Sequence, residues 1–191
     1  SNAQVVDVRM NTKSLACDVN IYNREGRVSD EKFKRCSDMM KNILEELDID
    51  TTQPHFKDTP DRFIGTLVAA TAFKRTPEPR FTLFPNDEGV SGIVVMKRLR
   101  MVSVCSHHLY PYVGYCSVAY IPDKWLIGAS KFSRVLDWMG TYPTAQEILT
   151  EQVANFIQTK AEPLGLMVVT EAMHTCLTAR GANEEESSLL Y

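Results

Sequence analysis

Three of the chain's four histidines, at positions 107, 108 and 174, stand beside two of its five cysteines, Cys105 and Cys176. Sulfur and imidazole donors gathered in this way suit zinc better than a hard cation such as magnesium or calcium. Cys105 and His108 are three residues apart in a polar connection, so both side chains can enter one site. His174 and Cys176 are two apart, a spacing that places both on one face of a strand. With the two segments side by side, five groups compete for one tetrahedral ion. A catalytic zinc takes three protein ligands and keeps a fourth position open. Two groups would then remain for proton transfer, work that suits histidine because it titrates near neutral pH. A closed structural site of Cys105, His108, His174 and Cys176 satisfies the same spacing, and spacing does not choose between His107 and His108. Singly, each residue reads more simply as an apolar filler or a hydrogen-bonded histidine. The concentration of all five is what points to a metal.

Such a cluster needs two elements held side by side. Ile93–Val104 and Tyr112–Ile121 are rich in Val, Ile, Tyr and Met and read as an antiparallel strand pair, with Cys105-Ser106-His107-His108 in its connection. Leu166–Ala172 reads as another strand, continuing through Met173–Ala179 after a bend. Apolar spacing predicts helices over Ser29–Asp48, Ser130–Met139 and Ala145–Lys160. Thr59-Pro60-Asp61 opens a further helix to about Phe73, with a hydroxyl cap, a proline at the first helical position and an acid in the first turn. The order is α+β, with an N-terminal helical extension. Residues 1–75 form an arm and helical portion, 76–181 the catalytic domain and 182–191 a mobile tail; Ser1-Asn2-Ala3 reads as the scar of a removed tag.

Composition narrows the classes. At 44% hydrophobic residues the chain can bury a sizeable core, and a net charge of −3 argues against a general nucleic-acid binder. Five irregularly spaced cysteines do not form a disulfide framework. No apolar run reaches the roughly 18 residues of a membrane span, and the start has no signal-peptide pattern. A cytoplasmic protein without membrane or nucleic-acid partners is expected.

On five segments the chain resembles the GTP cyclohydrolase I family, from about Asp58 to Gly181. These are Asp58-Thr59-Pro60-Asp61-Arg62, Cys105-Ser106-His107-His108-Leu109 with Pro111 and Gly114, Gly128-Ala129-Ser130-Lys131, Gln146-Glu147-Ile148-Leu149-Thr150, and His174-Thr175-Cys176 with Ala179-Arg180-Gly181. The resemblance implies Zn2+ on Cys105, His108 and Cys176, and catalytic roles for His107, His174, Ser130 and Gln146. It implies that Glu147 anchors guanine through N1–H and the 2-amino group, and that Lys131, Arg134, Arg180 and Arg62 serve the phosphates. The implied substrate is GTP, whose imidazole ring opens at C8 with loss of formate before rearrangement to 7,8-dihydroneopterin triphosphate. The implied architecture is the tunnelling fold, an antiparallel sheet with two helices packed on one face, assembled as a homodecamer with active sites between subunits. Ser106 and Gly65 depart from the family's usual glutamate and lysine, and Tyr142 from a commonly basic residue. Two other readings share the pattern. One is a pterin- or deazaguanine-processing enzyme with a cysteine nucleophile, for which Cys116 lacks an adjacent base. The other is a non-catalytic, zinc-stabilised purine-binding oligomer.

Overall fold

The computed structural model describes residues 28–179 and 189–191. They fall into two compact units, 28–66 and 67–191, divided within a helix.

The first unit is helical. Helix α1 (Asp30–Glu46) is capped by Ser29, whose hydroxyl accepts from the Lys32 N–H at 3.3 Å, and Asp30 and Glu31 complement the positive end of the helix dipole. Helix α2 (Thr59–Ala70) starts from a bond of the Arg62 N–H to the Asp58 carbonyl, which puts the cap one residue before Thr59. In this unit Leu44 of α1 and Pro60 and Ile64 of α2 are buried apolar side chains.

The second unit is built on an antiparallel sheet. Its strands, in spatial order, are β2 (Val94–Val104), β3 (Pro111–Ile121), β5 (Gly165–His174) and β6 (Leu189–Leu190). Strands β1 (Leu83–Pro85) and β4 (Trp125–Ile127) form a separate small pair. Helices α3 (Ala129–Gly140) and α4 (Gln146–Ala161) pack on β2 and β5 respectively. Along β3 the even-numbered Tyr112, Cys116, Val118 and Tyr120 point into the core, where Phe132, Leu136, Leu149, Val153 and Ile157 of the helices meet them. In β2 a bulge between Met96 and Leu99 shifts the register, so Met96 and Met101 both face inward despite opposite parity. Arg98 sits in this bulge in the left-handed region (φ 55°), its N–H donating to Ser117 Oγ.

The mixed helix and antiparallel-sheet class agrees with the expectation, and two local expectations are corrected. Chain beyond His174 does not continue as a strand: Thr175–Thr178 forms a helical turn, α5. The Ala179 N–H bonds back to the Thr175 carbonyl, and the Thr175 hydroxyl donates to the Pro111 carbonyl at 2.6 Å, turning the backbone off the ladder. His174 and Cys176 therefore do not share a strand face. The last residues are likewise no free tail: Leu189 and Leu190 pair with Ala172 and Glu171, because the edge of β5 offers backbone groups that need partners. The rest of the expected tail, 182–188, lies outside the described residues, as does the arm before residue 28.

Candidate active site

The loop between β2 and β3 carries the first cluster, and the hairpin fixes it at both ends. Val104 pairs with Pro111, the Cys105 N–H donates to the Tyr110 carbonyl at 2.8 Å, and the Leu109 N–H to the Cys105 carbonyl at 2.9 Å. The tight closure forces Leu109 into the left-handed region (φ 56°), a strain of about 1 kcal/mol that the two bonds offset. On the far side of β3, β5 ends at His174, and α5 swings Cys176 back toward the hairpin.

The donor atoms of Cys105, His108 and Cys176 all lie within 4.8 Å of one another. Tetrahedral zinc with sulfur and nitrogen ligands needs donors roughly 3.5–3.8 Å apart, so small side-chain adjustments suffice and the set fits a zinc-type ion. Among the described residues this is the one group of His, Cys, Asp and Glu able to hold a metal. It has three members, the number of protein ligands in a catalytic site, and His174 is not among them.

His107 and His174 occupy different surroundings. His107 is exposed, with Nδ1 3.7 Å from Cys105 Sγ. His174 is buried, its ring stacked on Tyr112 at 4.7 Å between centroids and 15° between planes. Burial pulls the His174 pKa below its ordinary value, opposed by the negative charge of Glu147. Burial also pushes the Tyr112 hydroxyl up to about 12; the Ser103 hydroxyl pulls the other way, while charge at Cys105 and Glu147 adds to the rise.

Glu147, half-buried in the first turn of α4, thus acts electrostatically on the histidine end of the site. Its neighbour Gln146 is fully buried and bonds to His174 Nε2 through Oε1 at 2.8 Å. The Gln146 amide nitrogen donates to the Thr170 and Leu189 carbonyls and to Thr170 Oγ1. Both ends of that amide are bonded to groups of this chain, with His174 on the oxygen side.

The remaining expected residues are dispersed. Ser130 and Lys131 lie in the first turn of α3, with exposed Arg134 further along it. Arg62 belongs to the first compact unit and pairs with Asp58 at 3.2 Å. Arg180 lies outside the described residues. Sequence reasoning missed Tyr112, Thr150 and Thr170. Thr150 follows Gln146 by one helical turn, a spacing that could have disclosed it; Tyr112 and Thr170 carry no sequence signal beyond their strands. Cys116 is fully buried, and burial pushes its thiol up to about 12, which leaves it protonated and unsuited to be a nucleophile.

No helix among the described residues is long and apolar enough to cross a membrane. A family model of GTP cyclohydrolase I matches residues 36–190. A GTP cyclohydrolase 1 of Hydrogenobaculum sp. (strain Y04AAS1) is 36% identical over 142 residues, covering 74% of this chain and 76% of that protein. One from Sulfolobus acidocaldarius is 34% identical over 172 residues, 86% of this chain and 80% of that protein. Another, from Aquifex aeolicus, is 34% identical over 154 residues, 81% and 80% of the two chains. Likeness of this extent, over the segments that carry the Cys-His-Cys group and its buried histidine, makes the chain a member of the GTP cyclohydrolase I family of enzymes.

Proposed function

We propose that the chain opens the imidazole ring of GTP at C8, releases formate and forms 7,8-dihydroneopterin triphosphate, with zinc held by Cys105, His108 and Cys176. The observation that carries this reading is the convergence of those three donors beside a buried histidine in a chain of this family. Bound zinc supplies Lewis acidity and brings the pKa of water to about 7, making water a usable nucleophile at neutral pH.

The chain's own residues do the rest. His107, which is exposed, and His174, which is buried, exchange protons with the purine as its ring opens. Glu147 accepts from guanine N1–H and the 2-amino group together, a donor pair that adenine lacks. Ser130 serves the ribose end, and Lys131, Arg134, Arg180 and Arg62 the triphosphate, where guanidinium groups match phosphate oxygens. The architecture is the tunnelling fold, whose subunits join sheets into a homodecamer with sites between subunits. In support, the sheet face turned away from α3 and α4 exposes Val102, Val113, Tyr115, Met167 and Met173. The setting is the cytoplasm.

The test is incubation of metal-loaded protein with GTP, following formate and a fluorescent oxidised pterin. Both products are expected. Absence of both from fully zinc-loaded, correctly assembled protein refutes the reading.

A further inference from the structure

His174 is held by a hydrogen-bond chain that dictates which of its ring nitrogens carries a proton. The Gln146 amide nitrogen lies 3.1 Å from the Thr170 carbonyl and 2.9 Å from the Leu189 carbonyl. Carbonyl oxygens only accept, so the NH2 end of the amide must face them. Turning the amide over would set an oxygen against two carbonyl oxygens at a fully buried position, leaving all of them unpaired. The amide oxygen is thereby turned to His174, and because it only accepts, His174 Nε2 must donate. Nε2 therefore carries the proton of the neutral ring, and Nδ1 is the nitrogen without one.

Two threonines extend the same logic. The Thr150 hydroxyl donates to the Gln146 main-chain carbonyl at 2.8 Å, which uses its single proton. In the 2.7 Å contact between Thr150 Oγ1 and Thr170 Oγ1, the Thr170 hydroxyl is then the donor. Having given its proton to Thr150, Thr170 Oγ1 accepts from the Gln146 amide nitrogen at 3.0 Å. The two amide protons of Gln146 are shared among three acceptors, the Thr170 and Leu189 carbonyls and Thr170 Oγ1, and the amide nitrogen is the donor in each contact. The outer anchor of the hydrogen-bond chain is β6: Tyr191 and Thr170 exchange two backbone bonds of 2.7 and 2.9 Å, which hold the Leu189 carbonyl over Gln146. Tyr112, stacked flat on the imidazole, restrains rotation of the ring.

We propose that Thr150, Thr170 and the C-terminal strand β6 are positioning elements that act through Gln146 to hold the ring of His174 in its Nε2–H tautomer and in one orientation. The lock itself stands on the hydrogen-bond geometry; its consequence for turnover rests on the function proposed above.

The closing experiment separates the two. Full-length, zinc-loaded protein labelled with 15N-histidine is read by two- and three-bond 15N–1H correlation, and His174 is assigned by comparison with His174→Ala. The expected spectrum has a protonated Nε2 and an unprotonated Nδ1; a protonated Nδ1 with bare Nε2 overturns the lock whether or not GTP is turned over. In Thr170→Val the Nε2–H signature should weaken and kcat fall about three- to tenfold, with KM and zinc content held within about twofold, and Thr170→Ser should restore both signature and rate. An unchanged signature and kcat in Thr170→Val removes Thr170 from the device. Should that variant fail to fold, Thr150→Val puts the same question from the outer end of the chain. Wild-type protein that shows the Nε2–H signature but yields no product from GTP supports the lock and contradicts the function.

Discussion

At the scale of single residues, the metal group and the two remaining histidines should be separable by mutation. Cys176 supplies one of three donors, and a serine hydroxyl is a poor replacement for thiolate toward zinc. Cys176→Ser should therefore lose both metal and turnover, the metal read by mass spectrometry of the desalted protein. His174 is not a member of the donor group, so His174→Ala should keep zinc at the wild-type level while kcat falls roughly 10²- to 10⁴-fold, the usual yield of a general acid–base group. Zinc loss in His174→Ala would mean the ligand set is misassigned. Glu147 tests the other end of the substrate. Removing a carboxylate that accepts two guanine donors should weaken GTP at least about tenfold in Glu147→Ala, with zinc content unchanged. Equal affinity for GTP in wild type and variant, by calorimetry, would dismiss Glu147 as the purine anchor.

At the scale of elements, Gly114 shows how closely β3 and β5 must approach. A Cβ at this position would collide with the backbone oxygen of Glu171 and the Cα of Ala172, both fixed in β5. Backbone on both sides leaves nothing to move aside. Gly114→Ala should cost about 2–3 kcal/mol or more, seen as a lowered Tm, and should loosen the strand that carries Tyr112 and faces His174. A Tm equal to wild type would mean the strands can separate without penalty. The long elements were legible because their apolar spacing repeats: α1, α3, α4, β2 and β3 lie within a residue or two of where that spacing puts them. Short ones were not. Leu83–Pro85 and Trp125–Ile127 are too brief for any period and exist through pairing with each other, the first inside a proline-rich stretch. Chain after His174 has the apolar alternation of a strand, but the Thr175 side-chain bond to Pro111 turns it into α5. The metal cluster was legible from residue types alone. Which three of the five groups come together was not, since that depends on the direction in which α5 presents Cys176 and on the partner that occupies His174.

At the scale of the whole molecule, the second unit's sheet covers one face with its helices and leaves the other apolar. Met167 is 60% exposed and Met173 46%, and Val113 stands directly opposite Met173 across the β3–β5 ladder. A cross-strand apolar pair of this kind gains free energy when another sheet covers it. The Arg98 guanidinium lies 3.9 Å from the centroid of the Tyr115 ring on the same strand pair and so shields a small part of it. On this argument the wild-type chain should sediment as a homo-oligomer at micromolar concentration. Met167→Glu puts a carboxylate where the proposed assembly excludes water, and symmetry repeats the charge in every subunit. Its dissociation constant should rise about a hundredfold or more, with a smaller species in sedimentation and with turnover lost alongside assembly. Zinc should stay bound to that smaller species, because Cys105, His108 and Cys176 all come from one chain. A wild-type monomer that turns over GTP at full rate would sink the requirement for assembly, and would force the triphosphate contacts to be found within a single chain.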